Sequence, residues 1–209
     1  MKEYLILREF KDTDFNEIAD IIAKEWYEEI STEQAILCSQ SELALHLSNS
    51  TFKRVVTLKD EVVGVVLARY ENKRGDNKWR QLEESIYTES IENNYLDVKT
   101  CIELHRDEAA LEDEAAENYG IEKIGSIELL LIKDGVKDIK IGSKLVEITT
   151  NWLRGQGAKA YRLATDDSCD WEYYEHQNMK RVGEKKVFCL PSFSWEGDYH
   201  IYVYQDELK

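Results

Sequence analysis

Apolar positions along this chain change period several times. Residues 4–10, Tyr-Leu-Ile-Leu-Arg-Glu-Phe, form a short run of strand type. From there the spacing lengthens. Phe15, Ile18, Ile21, Ile22 and Trp26 fall on one side of a helix that Asp12 or Thr13 can cap. A second helical pattern covers 31–50, with Ser31 as its N-cap and Glu33 and Gln34 close behind. Two β-branched runs within 53–70, set around Lys59-Asp60, predict a hairpin.

Residues 71–122 differ in character. A polar loop comes first, then helical patterns over 79–93 and 98–120, the second ending at Gly120. The acidic run Asp107–Glu117 reads as a solvated helix face. Beyond it, 123–132 is an apolar strand, and 141–157 is a helix with Leu145, Ile148, Trp152 and Leu153 at helical spacing. A strand at 159–165, a short helix at 170–177 and strands at 179–190 and 199–205 complete the chain. Asn178 stands where a left-handed C-cap is expected. The alternation predicts an α/β fold built on a mixed (α+β) sheet. We read 1–209 as a single domain, with 71–122 as a mostly helical insertion between the third and fourth strands.

Composition narrows the function. The chain has 42 acidic residues against 27 basic ones, a formal net charge of −15. Phosphate repels such a surface and no extended basic face exists, so nucleic acid is excluded as a partner. A cationic or neutral substrate is compatible with it. Cys38, Cys101, Cys169 and Cys189 are far apart and form no CxxC pair, and His46, His105, His176 and His200 are equally scattered. No metal site is therefore expected. The N-terminus is too short and too charged for a signal peptide, and no apolar run approaches the roughly 20 residues that span a bilayer. The reading is a soluble, reduced, cytoplasmic protein without a membrane partner.

Two nucleotide motifs fail on context. Gly155-Gln-Gly-Ala-Lys-Ala160 matches GxGxxA, but it follows a helix and precedes a strand, the reverse of a dinucleotide fingerprint. Gly135 is not followed by the Gly-Lys of a Walker A loop. What remains is a local excess of lysine: Lys133, Lys137, Lys140 and Lys144 lie between a strand and a helix that opens at Ile141-Gly142-Ser143. Free amides at a helix start attract anions, and a glycine there allows close approach.

With the element order, these motifs resemble the GNAT superfamily of acyl-CoA-dependent N-acyltransferases over nearly the whole chain apart from 71–122. The family's phosphate loop, Q/R-x-x-G-x-G/A, looks like Lys137-Asp138-Ile139-Lys140-Ile141-Gly142, followed by Ser143. Lys140 replaces its first glycine, and Asp138 adds a carboxylate near the expected pyrophosphate. The later signature, an asparagine before a helix bearing Phe-Tyr, looks like Asp167 followed by Tyr173-Tyr174.

The resemblance implies an N-acetyltransferase that moves an acetyl group from acetyl-CoA, its acyl-donor cosubstrate, to a primary amine of a small molecule or peptide. Transfer would be by direct attack in a ternary complex. It implies that the backbone of Leu130, Leu131 and Ile132 aligns pantetheine and that 137–143 cradle the pyrophosphate. Asp167 would lie beside the cofactor, and Tyr174 would protonate the departing thiolate.

Glu128 is the second catalytic candidate, since many family members carry a glutamate on this strand as general base or water-holder. On strict alternation Ser126, Glu128 and Leu130 share one face, and Ile127, Leu129 and Leu131 the other. Burial is expected to raise its pKa and make it a better base. The helices at 79–117 would shape the acceptor side or build a homodimer interface. The rival reading keeps the fold as a non-catalytic acyl-CoA sensor or interaction module.

Overall fold

The computed structural model describes residues 5–70, 75–119, 124–136 and 141–208. Lys137, Asp138, Ile139 and Lys140, and the Gly120 helix end, lie outside the described residues. The chain runs β1 (Leu5–Glu9), α1 (Phe15–Trp26), α2 (Thr32–Asn49), β2 (Phe52–Leu58) and β3 (Glu61–Tyr70). Then come α3 (Asn77–Glu92), α4 (Leu96–Tyr119), β4 (Ile124–Ile132) and α5 (Ile141–Gln156). The last elements are β5 (Ala160–Asp166), α6 (Glu172–His176), β6 (Lys180–Val187) and β7 (Tyr199–Glu207).

Local chemistry accounts for several boundaries. The Ser31 side chain accepts from Gln34 N at the start of α2, satisfying an amide that has no helical partner. Lys59 and Asp60 both take positive φ, 53° and 66°, the conformation whose twist suits a two-residue hairpin between β2 and β3. Asn178 has φ 59° just beyond α6, where asparagine tolerates the left-handed turn.

The seven strands follow the order β1-β2-β3-β4-β5-β7-β6. All neighbours are antiparallel except β4 and β5. One apolar layer packs Ile18 and Ile22 of α1, Leu43 and Leu47 of α2 and Ile102 of α4 against Val65, Leu67 and Leu129 of the sheet. The opposite layer packs Leu145 and Leu153 of α5 against Val66, Ala68 and Ile127. The sheet is thus covered on both faces, as its apolar central strands require.

Strand β4 has two irregularities. Leu67 pairs with Leu129 but Ala68 pairs with Ile127, so Glu128 is the extra residue of a bulge. Strict alternation therefore fails: Ile127 joins the α5 layer while Leu129 and Leu131 join the opposite one. Leu130 also sits on the α5 side, not on the face of Glu128. Second, among the described residues β4 pairs with β5 only at Ile124, Gly125 and Ser126. Beyond that rung the two parallel strands part.

At the paired end α5 lies tight against β4. A Cβ added at Gly125 would run into the Leu153 side chain. Gly125→Ala should therefore cost about 1–3 kcal/mol of stability by overpacking. The same substitution should cost much less in a chain already carrying Leu153→Ala. Urea unfolding of the four chains checks both statements.

Candidate active site at the parting of two strands

Where β4 and β5 separate, a cleft of about 720 Å³ opens. Its floor includes Glu128 and Leu130 of β4, and Leu163 and Asp166 of β5. The first turn of α5 contributes Gly142 and Ser143, and α6 contributes Tyr173 and Tyr174. The far end is built by α2 and α4 through Glu42, His46, His105, Glu108 and Glu112. Phe193 of the loop after Pro191 also reaches it. Trp195 packs edge-on against Tyr199 instead, with ring centroids 5.0 Å apart.

The α5 end has the features of an anion site. The opening amides of a helix have no internal acceptor. A Cβ at Gly142 would meet nothing nearer than Ile132 Cγ1 at 3.9 Å, so packing does not demand glycine there. The space leaves that backbone open to approach from the cleft. The flanking lysines that are described are already paired: Lys144 Nζ lies 2.7 Å from Glu147 and Lys133 Nζ 3.7 Å from Glu61. Ile141 and Leu131 are core residues, so only their backbone is available to a ligand.

The Asp167 carboxylate is engaged by β7. It accepts from His200 N at 2.7 Å and from the Tyr202 hydroxyl at 2.6 Å. These bonds commit it to β7 rather than to the cleft. Asp166 is the acid that turns into the cleft, and it also accepts from Ser168 N and Oγ.

Tyr174 stands on the cleft wall, its ring 5.4 Å from that of Tyr204. Burial, with Cys169 and Tyr173 nearby, pushes its hydroxyl well above the ordinary tyrosine value. It is therefore fully protonated at neutral pH and able to donate. The Cys169 thiol lies on the same wall and is exposed.

Glu128 differs from its sequence expectation. Burial acts to raise its pKa, but the Arg69 guanidinium, 2.6 Å away, outweighs it, helped by His46 and by the Ser126 hydroxyl. The carboxyl is held below the ordinary range instead of above it. Arg69 is 1% exposed. It also reaches Asp113 at 2.8 Å and Glu112 at 3.5 Å on α4.

Sequence reading missed the α2–α4 end of the cleft altogether. Tyr27 donates to Glu42 Oε2 at 2.7 Å, and its oxygen lies 3.1 Å from His105 Nε2. His105 Nδ1 lies 2.8 Å from Glu108. Burial opposes a charged His105, yet Glu42 and Glu108 hold its pKa well above the ordinary value. His46 is pushed down to about 4 by burial and by His105. The available signals were the i, i+4 spacing of Glu42 and His46 on α2 and the i, i+3 spacing of His105 and Glu108 on α4, each of which puts a pair on one helix face. The partners on α4 are too far along the chain to be paired by inspection.

Glu42 and Glu112 are each raised to about 7, chiefly by burial. A carboxyl raised from 4.5 to about 7 contributes stability that is full below 4.5 and lost as pH rises through 7. Glu112→Gln, which mimics the protonated form, should remove that loss. The variant should gain on the wild type between about pH 5 and pH 8. Thermal unfolding across that range measures it, and parallel curves would refute it.

No protein-family model matches the sequence, and no curated relative does. Solved structures match over nearly full length. An agmatine N-acetyltransferase in its apo form superposes with TM-score 0.59 at 8% identity, covering 97% of this chain and 99% of that one. The polyamine N-acetyltransferase of Drosophila melanogaster gives 0.58 at 10% identity, covering 98% and 100%. The ribosomal-protein-S18-alanine N-acetyltransferase of Escherichia coli gives 0.56 at 9%, covering 98% and 94%. At these identities the likeness is one of architecture: the chain has the fold of the GNAT N-acetyltransferases.

Proposed function

We propose that the protein is an N-acetyltransferase that moves an acetyl group from acetyl-CoA to a primary amine. The observation that carries this reading is the parting of β4 from β5 beyond Ser126. It leaves strand backbone lining one side of a cleft that has a helix N-terminus at one end and a protonated tyrosine on its wall. The backbone of Leu130 to Ile132 would align pantetheine as a strand-like partner. Gly142 and Ser143 would meet the phosphates. Similar folds that act on agmatine, polyamines and a protein alanine support amine acceptors of either small-molecule or peptide kind.

The chain's own groups divide the chemistry. The neutral amine nitrogen attacks the thioester carbonyl carbon, and the carbon–sulfur bond breaks as the new amide forms. Tyr174 gives its hydroxyl proton to the departing thiolate. Glu128, ionised because Arg69 holds it so, takes the amine proton through water. The acceptor enters at the end built by α4, which lines the cleft through His105, Glu108 and Glu112.

Acetyl-CoA added to the full chain should raise the unfolding temperature, since ligand stabilisation grows as RT ln(1 + [L]/Kd). No shift at millimolar cosubstrate would refute cofactor binding. In a thiol-release assay over an amine panel, Tyr174→Phe should lower kcat by roughly 10²–10⁴ while the acetyl-CoA thermal shift persists. A Tyr174→Phe enzyme with full kcat would remove the proton-donor role. A wild-type chain that shows the shift but releases no thiol with any amine would favour a sensor.

A further inference from the structure

We propose that Glu42, His46 and His105 form a binding site for one divalent transition-metal ion of the zinc class, at the α2–α4 end of the cleft. The three side chains each bring one ligand atom, and those atoms all lie within 4.8 Å of one another. Glu42 Oε1 is 3.9 Å from His46 Nε2, and Glu42 Oε2 is 3.7 Å from His105 Nε2. Ligands held at about 2.0–2.2 Å around a tetrahedral ion stand about 3.3–3.6 Å apart. Side-chain rotations would therefore have to draw one Glu42 oxygen and the two imidazole nitrogens, now within 4.8 Å of one another, together around an ion. Glu42 and His46 are one helical turn apart on α2, and His105 faces them from α4, so two packed helices present the set.

Further contacts suit the same purpose. His105 Nδ1 is 2.8 Å from Glu108 Oε2. A carboxylate behind a ligating imidazole fixes the ring and turns its other nitrogen toward the ion. That nitrogen now meets the Tyr27 hydroxyl at 3.1 Å, which would yield the position or join the ion. Two imidazoles with one carboxylate leave coordination open on the cleft side. All three residues line the cleft, so a water or an oxygen of the acceptor can complete the shell. This site is independent of acetyl transfer, because binding is measured without turnover.

The test is calorimetric titration of Zn²⁺ into the chelator-treated full chain, repeated with Co²⁺ to follow its ligand-field absorption. The expected result is one ion per chain with Co²⁺ bands of low coordination number. His46→Ala and Glu42→Gln should abolish both signals while retaining the wild-type circular dichroism spectrum. Glu108→Gln, which keeps all three ligands, should weaken Zn²⁺ by roughly 10–100-fold. Absence of binding to the wild type would overturn the proposal. So would unchanged affinity in folded His46→Ala and Glu42→Gln, which would place the ion elsewhere. Should His46→Ala not fold, Glu42→Gln and Glu108→Gln decide alone, since both preserve side-chain volume.

Discussion

The site depends on a buried guanidinium. Arg69 on β3 sits beside Ser126 of β4, and Ser126 in turn pairs with Arg162 of β5. These three neighbours form a polar row across the middle of an apolar sheet. That row coincides with the last rung between β4 and β5. Glu112 and Asp113 of α4 descend onto it: Ser126 donates to Glu112 at 3.0 Å, and Asp113 lies 2.8 Å from Arg69 and 3.2 Å from Arg162. A buried ion pair adds little net stability, because desolvation offsets most of the attraction. What it does add is position, since an unpaired buried charge would be far costlier. The network therefore fixes α4 over the point where the strands separate, and α4 is the helix that closes the far end of the cleft.

The same arginine determines the state of Glu128. A bulge brings this carboxylate onto the α2–α4 side and into contact with Arg69. Without the guanidinium, a buried glutamate would drift toward neutrality, as Glu42 does at about 7. The cleft thus holds buried carboxyls of both kinds, one kept ionised and two poised near neutral pH. Differing environments, not differing residue types, divide them.

Most of the fold was legible in the sequence because its signals are local. The capping Ser31, the two-residue turn at Lys59-Asp60, the helical spacing of Leu145, Trp152 and Leu153, and the left-handed Asn178 each depend on near neighbours. The bulge at Glu128 was not legible. It arises from how β3 and β4 register over several residues, and an apolar strand reads the same with or without it. The face assigned to Leu130 failed for that reason. The direction of the Glu128 shift failed because Arg69 lies 59 positions away in sequence. Asp167 was placed by analogy with a motif, whereas its carboxylate answers to the β7 amide and hydroxyl that the strand order puts beside it.

The scattered histidines were harder still to read. Spacing rules find metal or acid–base clusters when the ligands share a loop or a helix turn. Here Glu42 and His46 share one turn and His105 and Glu108 another, on separate helices, and such pairs are common without any function. The cluster exists because α4 packs against α2 and delivers Tyr27's partner His105 to the same place. That delivery is enforced from the other side of the cleft by Arg69 and Arg162 gripping Glu112 and Asp113, two turns along the same helix. The basic groups of this acidic protein thus act mainly from within. Two buried arginines set the geometry of the carboxylates, and the first turn of α5 lines the cleft through Gly142 and Ser143.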